Sequence, residues 1–247
     1  MKGYSVVMLA MLLGACGGGG GGGSPSSAVT NAIAAGVWQG TSSSGYTVDL
    51  IVLPNNEFAT IFGSPLGSGL FISGFDSGTG TITGNTLAAS ISEYTSTGLT
   101  AIGNVSATIT NNTSVIGSTA YSNGATSNFS FSPLPNFNYN TPASLSTVSG
   151  SWNGTLLDGE TTSVTVNSST GAFSGLTSSG CSFTGVIAPV ASVNVYTTTI
   201  TMGNSPCANP NVTAPGIAFA YLTGSGTTQL IAEAATGSFG MLFSAQR

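Results

Sequence analysis

Two stretches of this chain repeat one pattern, and the repeat sets the scale of what can fold. Gly36-Val37-Trp38-Gln39-Gly40-Thr41 and Gly150-Ser151-Trp152-Asn153-Gly154-Thr155 share Gly-x-Trp-polar-Gly-Thr, each followed by a turn and an alternating apolar run. Trp38 and Trp152 are the two tryptophans of the chain, and they lie 114 residues apart. That spacing is a domain length, not the 20–50-residue period of a solenoid. The chain therefore reads as two modules, residues 28–135 and 150–247, joined by a linker at 136–149. Each module is about 100 residues, long enough to bury a core of its own.

Inside the modules the hydrophobic period is two. Tyr46, Val48, Leu50 and Val52 alternate with Thr47, Asp49 and Ile51; Ile217, Phe219 and Tyr221 repeat the pattern, as do Phe239, Met241 and Phe243. Such alternation among Thr-rich, β-branched neighbours signals half-buried strands. Turn chemistry recurs at Pro54-Asn55-Asn56, Gly84-Asn85, Asn111-Asn112, Ser122-Asn123-Gly124, Asp158-Gly159, residues 168–171 and Gly224-Ser225-Gly226. Asn, Asp and Gly suit hairpin turns because they tolerate positive φ or bond their own backbone.

The second module divides into eight strands near 151–157, 161–167, 171–176, 181–188, 193–202, 216–223, 227–235 and 238–246. The first gives eight or nine, with looser turns around 63–69. The fold class expected is all-β: two tandem antiparallel meanders, each closing into a small barrel that removes its exposed edges. Open β-sandwiches are the alternative. Trp38 and Trp152 fall on each module's first strand, as core or barrel-end plugs. Trp152, Tyr196, Phe219 and Phe243 are expected to point inward and fill the second barrel. In the linker, Thr141-Pro142 can open one helical turn, with Thr as cap and Pro at the first helical position; residues 28–35 stand in the same place before the first module. Phe137 and Tyr139 are placed to pin the linker to a neighbouring module.

Charge narrows the function classes. The chain has two basic residues, Lys2 and Arg247, seven acids and no histidine, and charged residues are 4% of it, against roughly 25% in ordinary domains. Nucleic-acid binding needs clustered Lys and Arg, so nucleic acid is not a partner. Without histidine the commonest general base and metal ligand are missing, and so is the usual Ser or Cys triad. No nucleophile elbow or phosphate loop is present, and Gly224-Ser225-Gly226 reads as a turn. The acids Asp49, Glu57, Asp76 and Glu93 look too scattered along the chain to pair, while Asp158 and Glu160 flank a hairpin glycine as solvated turn residues. The chain is expected to be no enzyme, with no catalytic residue, no cofactor and no metal.

The N-terminus gives the address. Lys2 precedes an apolar run, Tyr4 to Leu13, too short to span a bilayer, which takes about 20 residues, but suited to a secretory signal. Leu13-Gly14-Ala15-Cys16 resembles the lipobox of bacterial lipoproteins. The resemblance implies a signal peptide at 1–15 and acylation of the Cys16 sulfur by fatty acid (palmitate and its like), with Cys16 as the mature N-terminus. Gly17 in place of aspartate implies the outer membrane, either leaflet, with the membrane reached through the lipid anchor. Residues 16–27, with seven glycines from Gly17 to Gly23, form a flexible tether with a reach of roughly 20 Å. Loss of Lys2 leaves the mature side chains at a net charge of about −6. With Cys16 used by lipid, Cys181 and Cys207 remain as a pair in an exported protein, where a disulfide is expected.

Gly150-x-Trp152-x-Gly154, the hairpin at Gly171, the strand from Gly180-Cys181 to Gly185, the cysteine at 207 and the aromatic closing strand make the second module similar to modules of uncharacterised proteobacterial lipoproteins. In architecture, small tethered barrels resemble the transferrin-binding-protein-like and factor-H-binding-like surface lipoproteins, although the glycine-rich barrel signature of those families with its acidic residue is missing. The expected function is a non-catalytic binding or adhesion module on a tether, expected to be a monomer, with a protein or glycan as the open partner. Contacts would fall on the loops at 64–69, 136–140 and 204–215. The alternatives are a structural envelope protein without a specific ligand, and a small-ligand carrier using a barrel interior.

Overall fold

Each strand pairs with the next one along the chain, and the last of each set returns to the first. The computed structural model describes residues 33–66 and 69–247; the signal, Cys16, the tether and most of the 28–35 turn lie outside the described residues. The first eight strands are β1 (Gly36–Ser42), β2 (Thr47–Val52), β3 (Glu57–Leu66), β4 (Gly69–Thr83), β5 (Thr86–Thr95), β6 (Gly98–Thr110), β7 (Ser114–Tyr121) and β8 (Thr126–Pro133). After α1 (Leu145–Val148) follow β9 (Gly150–Leu156), β10 (Thr161–Val166), β11 (Ala172–Thr177), β12 (Ser182–Pro189), β13 (Tyr196–Met202), β14 (Thr213–Leu222), β15 (Thr228–Thr236) and β16 (Phe239–Gln246). All pairings are antiparallel, and each set of eight forms a closed barrel, β1 with β8 and β9 with β16. The molecule is all-β, with barrels and not sandwiches.

The turns follow from their residues. Asn56, Gly84, Asn112, Gly124, Gly159, Gly171 and Gly226 all carry positive φ, the region where Gly and Asn meet the smallest steric penalty. Asp158 accepts the Glu160 backbone N–H at 3.0 Å through its carboxylate, and Asn123 does the same for Ala125 at 2.9 Å.

The repeated Gly-x-Trp-x-Gly is the device that closes each barrel. Trp38 donates its indole N–H to the Ala34 carbonyl at 2.9 Å, and Trp152 donates to Val148 at 2.7 Å, each reaching four residues back. Both rings are buried as plugs. Two residues on, a Cβ at Gly40 would run into the Ser130 carbonyl oxygen, and one at Gly154 into that of Ser244. Only glycine lets the first strand come this close to the last. Beneath Trp152, Arg247 lies 3.9 Å from the ring centroid and donates to the carbonyls of Ser149 and Thr147.

Several expectations are corrected. The helical turn starts at Leu145 with Ser144 as its cap, not at Thr141-Pro142. Strand β13 starts at Tyr196, not 193, because Ser192 has positive φ and Val193 and Val195 leave the sheet to be buried elsewhere. Strand β14 begins at Thr213 and runs through Pro215. Phe219 does not fill the second barrel. Its inward neighbours are Ala218 and Ala220, and it faces the other barrel.

The two barrels share a third core. From the first come Val37, Ile51, Ala59, Ile61, Phe75 and Tyr94; from the second, Ile217, Phe219, Ile231 and Leu242. The linker is its mortar. Phe137 meets Phe219 edge-on, with centroids 6.3 Å apart. The Tyr139 hydroxyl donates to the Val52 carbonyl at 2.9 Å, and the Asn194 N–H donates to the Tyr139 carbonyl at 2.8 Å. The expectation that Phe137 and Tyr139 pin the linker holds. Among the described residues no helix is long and apolar enough to cross a membrane.

Candidate functional site

The two barrels use their interiors differently. The second is filled: Trp152, Phe183, Tyr196, Ile200, Met241 and Phe243 are all buried in one cluster, and the Tyr196 hydroxyl ties the linker down by donating to the Ser144 carbonyl at 2.8 Å. The first barrel is filled only at the end where Trp38, Ala107 and Ile109 pack. Towards the other end lies a cavity of about 240 Å³. Its body is apolar, with Val48, Leu50, Phe58, Ile91, Val115 and Phe131 in its wall. Its mouth carries hydroxyls and amides from the β1–β2 and β7–β8 turns: Ser42, Ser44, Asn123 and Ser127.

Small barrels either fill with side chains or hold one ligand, and local sequence decides which happens here. Strand β4 offers the inside Gly74, Asp76 and Gly78 at alternate positions. A Cβ at Gly74 would collide with the Phe62 ring, and one at Gly78 would collide with the Ser90 carbonyl oxygen and stand 3.1 Å from the Phe58 ring. Asp76 thus lies between two glycines that leave room for these rings. Thr60, its partner across the β3–β4 ladder, donates its hydroxyl to Asp76 Oδ2. Oδ1 is buried with no hydrogen-bond partner. On the other side Asp76 pairs with Glu93 of β5, which also lines the cavity. Glu93 takes the Thr100 hydroxyl at 3.0 Å, and its charge acts on the Tyr121 hydroxyl of β7, which lines the same cavity.

Burial pushes the Asp76 carboxyl up to about 7; the Thr60 hydroxyl opposes this, and the neighbouring Glu93 charge adds to it. The Tyr121 hydroxyl is driven well above its ordinary range by burial and then by Asp76 and Glu93. Two of the three unpartnered buried side-chain oxygens among the described residues, Asp76 Oδ1 and Ser42 Oγ, belong to residues that line this one cavity. Buried polar atoms are otherwise satisfied in folded proteins, so the cavity concentrates unmet hydrogen-bonding capacity in an apolar surround. That combination is how small-ligand sites are built.

The sequence reading took these acids as too scattered to pair, and the structure overturns that for Asp76 and Glu93. The signal lay in the turn. Asp76 is eight residues before Gly84, and Glu93 is eight after Asn85. A two-residue hairpin turn therefore places them opposite each other on one face.

The other expected positions fall elsewhere. Cys181 and Cys207 are joined, with Cα atoms 4.6 Å apart. Cys207 and the Asn211 N–H, which donates to the Gly203 carbonyl, tether residues 204–212, of which 204–206 and 208–211 remain exposed; Thr213, Ala214 and Pro215 are strand. In 136–140, Phe137 and Tyr139 pack into the seam between the barrels, while Asn136, Asn138 and Asn140 stay exposed. Of 64–69, β3 and β4 claim all but 67 and 68, which lie outside the described residues. Asp158 and Glu160 border a broad polar hollow of about 700 Å³ between the β5–β6 hairpin and the disulfide loop. Among the described residues no group of three or more His, Cys, Asp or Glu side chains gathers to hold a metal.

No family model matches the chain, and no curated protein is significantly similar to it. Among solved structures, the isotype 1 transferrin binding protein B from serogroup B Neisseria meningitidis is 13% identical with a TM-score of 0.30. The alignment covers 82% of this chain and 58% of that one, so the chain spans well under two thirds of that protein's length. The likeness is weak and architectural.

Proposed function

We propose that this chain is an exported, lipid-anchored binding protein of the bacterial outer membrane, in which the first barrel takes a small apolar ligand and the second is a filled support. The observation that carries this reading is the contrast between the two interiors: one packed solid, the other keeping a cavity with an unpartnered buried carboxylate oxygen. A carrier use of a barrel interior thus ranks above a purely structural role. The protein acts without catalysis. Asp76 and Glu93 stand side by side on adjacent strands, on one wall, whereas carboxylates that cleave a glycosidic bond must flank it. The lipobox resemblance at Leu13 to Cys16 supports the anchor.

Binding is tested by isothermal titration calorimetry with neutral 3-phenyl-1-propanol, one ring on a short arm. The expected result is a heat of binding that saturates at one molecule per chain and is lost when Ala101→Phe fills the cavity. No saturable binding to the unmodified chain overturns the reading. The anchor is tested separately by mass spectrometry of the N-terminal peptide from native cells, where an unacylated Cys16 would remove it.

A further inference from the structure

The chemistry of the first barrel's cavity says what kind of ligand it takes, an inference that rests on the reading of that barrel as a binding site. We propose that its ligand is a compact apolar molecule carrying a protonated amine, the ammonium seated at Asp76 and Glu93 and the body lying among Val48, Leu50, Phe58, Val115 and Phe131.

Three observations converge on this. First, the carboxylate pair has no counter-charge of its own. The chain holds two basic residues and no histidine; Lys2 precedes the expected cleavage point, and Arg247 is engaged under Trp152 in the other barrel. A positive charge for Asp76 and Glu93 must come from solution, as a proton or as a ligand. Second, the unmet capacity is for donors. Asp76 Oδ1 accepts nothing, and a carboxylate in this setting binds a charged N–H donor most strongly. An anionic ligand would meet two like charges and no base. Third, aromatic faces surround the approach: Tyr46 and Phe62 pack with centroids 5.4 Å apart, Phe129 and Phe131 stack at 4.7 Å, and all four line the cavity. Such faces attract cations as well as apolar bodies.

Size limits the body. A dry cavity of about 150 Å³ takes a benzene ring; the present one, at about 240 Å³, has room for one ring and a short amine-bearing arm. The groups facing Asp76 are Thr60 from β3, Glu93 from β5, Tyr121 from β7 and Tyr46 at the head of β2; the cavity positions of β1, β6 and β8 bring no titratable side chain. An incoming ammonium therefore replaces the proton that burial keeps on Asp76 near neutral pH. Affinity for the amine should rise about tenfold or more between pH 5.5 and 8, with a proton released on binding.

The test is calorimetric titration with three isosteres: 3-phenylpropylamine, 3-phenyl-1-propanol and 3-phenylpropanoate. The amine is expected to bind at least about tenfold more tightly than the alcohol and the acid, as a charge-assisted bond to a buried carboxylate implies. In Asp76→Asn that advantage should vanish while alcohol binding persists, which shows that the barrel is intact. If the alcohol or the acid binds as well as the amine, or if Asp76→Asn keeps the amine preference, the amine assignment is overturned and the binding reading stands. If none of the three binds, both fall.

Discussion

Burial raises three carboxyls of this protein well above the usual carboxylate range, and they set its response to pH. Asp76 lies in the first barrel's cavity. Asp49 and Glu233 lie on outward faces between the barrels, Asp49 accepting the Gln39 side-chain amide at 2.8 Å and Glu233 the Ile217 N–H at 2.9 Å. Burial raises Asp49 to about 6, against the pull of Gln39, and Glu233 to about 8, against the Ile217 bond and with a small push from Glu57. In the unfolded chain these acids lose their protons near pH 4. Between that point and about pH 8 the folded state binds more protons than the unfolded state, so stability falls as pH rises. No histidine or lysine in the folded part titrates in the opposite sense. Urea denaturation should therefore show a higher midpoint at pH 5 than at pH 8.5. Asp49 alone contributes a difference on the order of 3 kcal/mol. Glu233→Gln should flatten the upper part of the profile between pH 6 and 8.5. Equal or greater stability at pH 8.5 would mean that these groups are already ionised in the fold.

At the scale of the strand, the closing glycines and the disulfide carry distinct loads. A methyl group at Gly154 meets the backbone of β16, which cannot move without opening the barrel. Gly154→Ala should cost more than about 3 kcal/mol, at or beyond the upper range for overpacking. Gly224→Ala is the control: its φ is ordinary and nothing lies within 4 Å of the added carbon. It should be neutral, or stabilising by up to about 1 kcal/mol through the unfolded chain. Chemical denaturation of the two variants checks both. The bond between Cys181 and Cys207 closes a loop of 26 residues, and its reduction should cost roughly 3–4 kcal/mol, read as a lower midpoint in reductant. These elements were largely legible in the sequence. Each turn flagged by Gly or Asn carries positive φ, and β6, with one face in the barrel and the other in solvent, alternates as a half-buried strand should. The parity of β2 and β14 was not legible. Both of their faces are covered, and residues 48–52 and 217–220 are buried without interruption. Period-two counting cannot tell a barrel interior from an inter-barrel seam. That is why Phe219 was expected inside, and why nothing marked Asp49 as buried. Asp76 and Glu93 were within reach of a register count from Gly84-Asn85, but the depth of the cavity was not, since it depends on where Phe58 and Phe62 lay their rings.

In the whole molecule, the seam decides whether the barrels act as two bodies or one. Phe75, Phe219, Ile231 and Leu242 are at most 2% exposed, as buried as either barrel's interior. A separated barrel would present that face to water, at about 25 cal/mol for each Å² of apolar surface. Cooperative unfolding of both barrels together follows. Tyr94 marks the tightest crossing: its hydroxyl reaches from β5 to the Gly237 carbonyl at 2.9 Å in the β15–β16 turn, and its ring covers Gly240, where an added Cβ would collide with it. Gly240→Ala should displace Tyr94, sacrifice that bond and cost about 1–3 kcal/mol, while leaving the interiors of both barrels untouched. Native-state hydrogen exchange reads the consequence. In the unmodified protein the slowest amides of β7 and of β10–β12, away from the seam, should share one opening free energy, as members of one cooperative unit do. In Gly240→Ala the two groups should separate, the first barrel opening before the filled second one because its core contains the cavity. Two different opening energies already present in the unmodified protein would show that the seam is contact without coupling, and the ligand site would then have to be held in shape by its own eight strands.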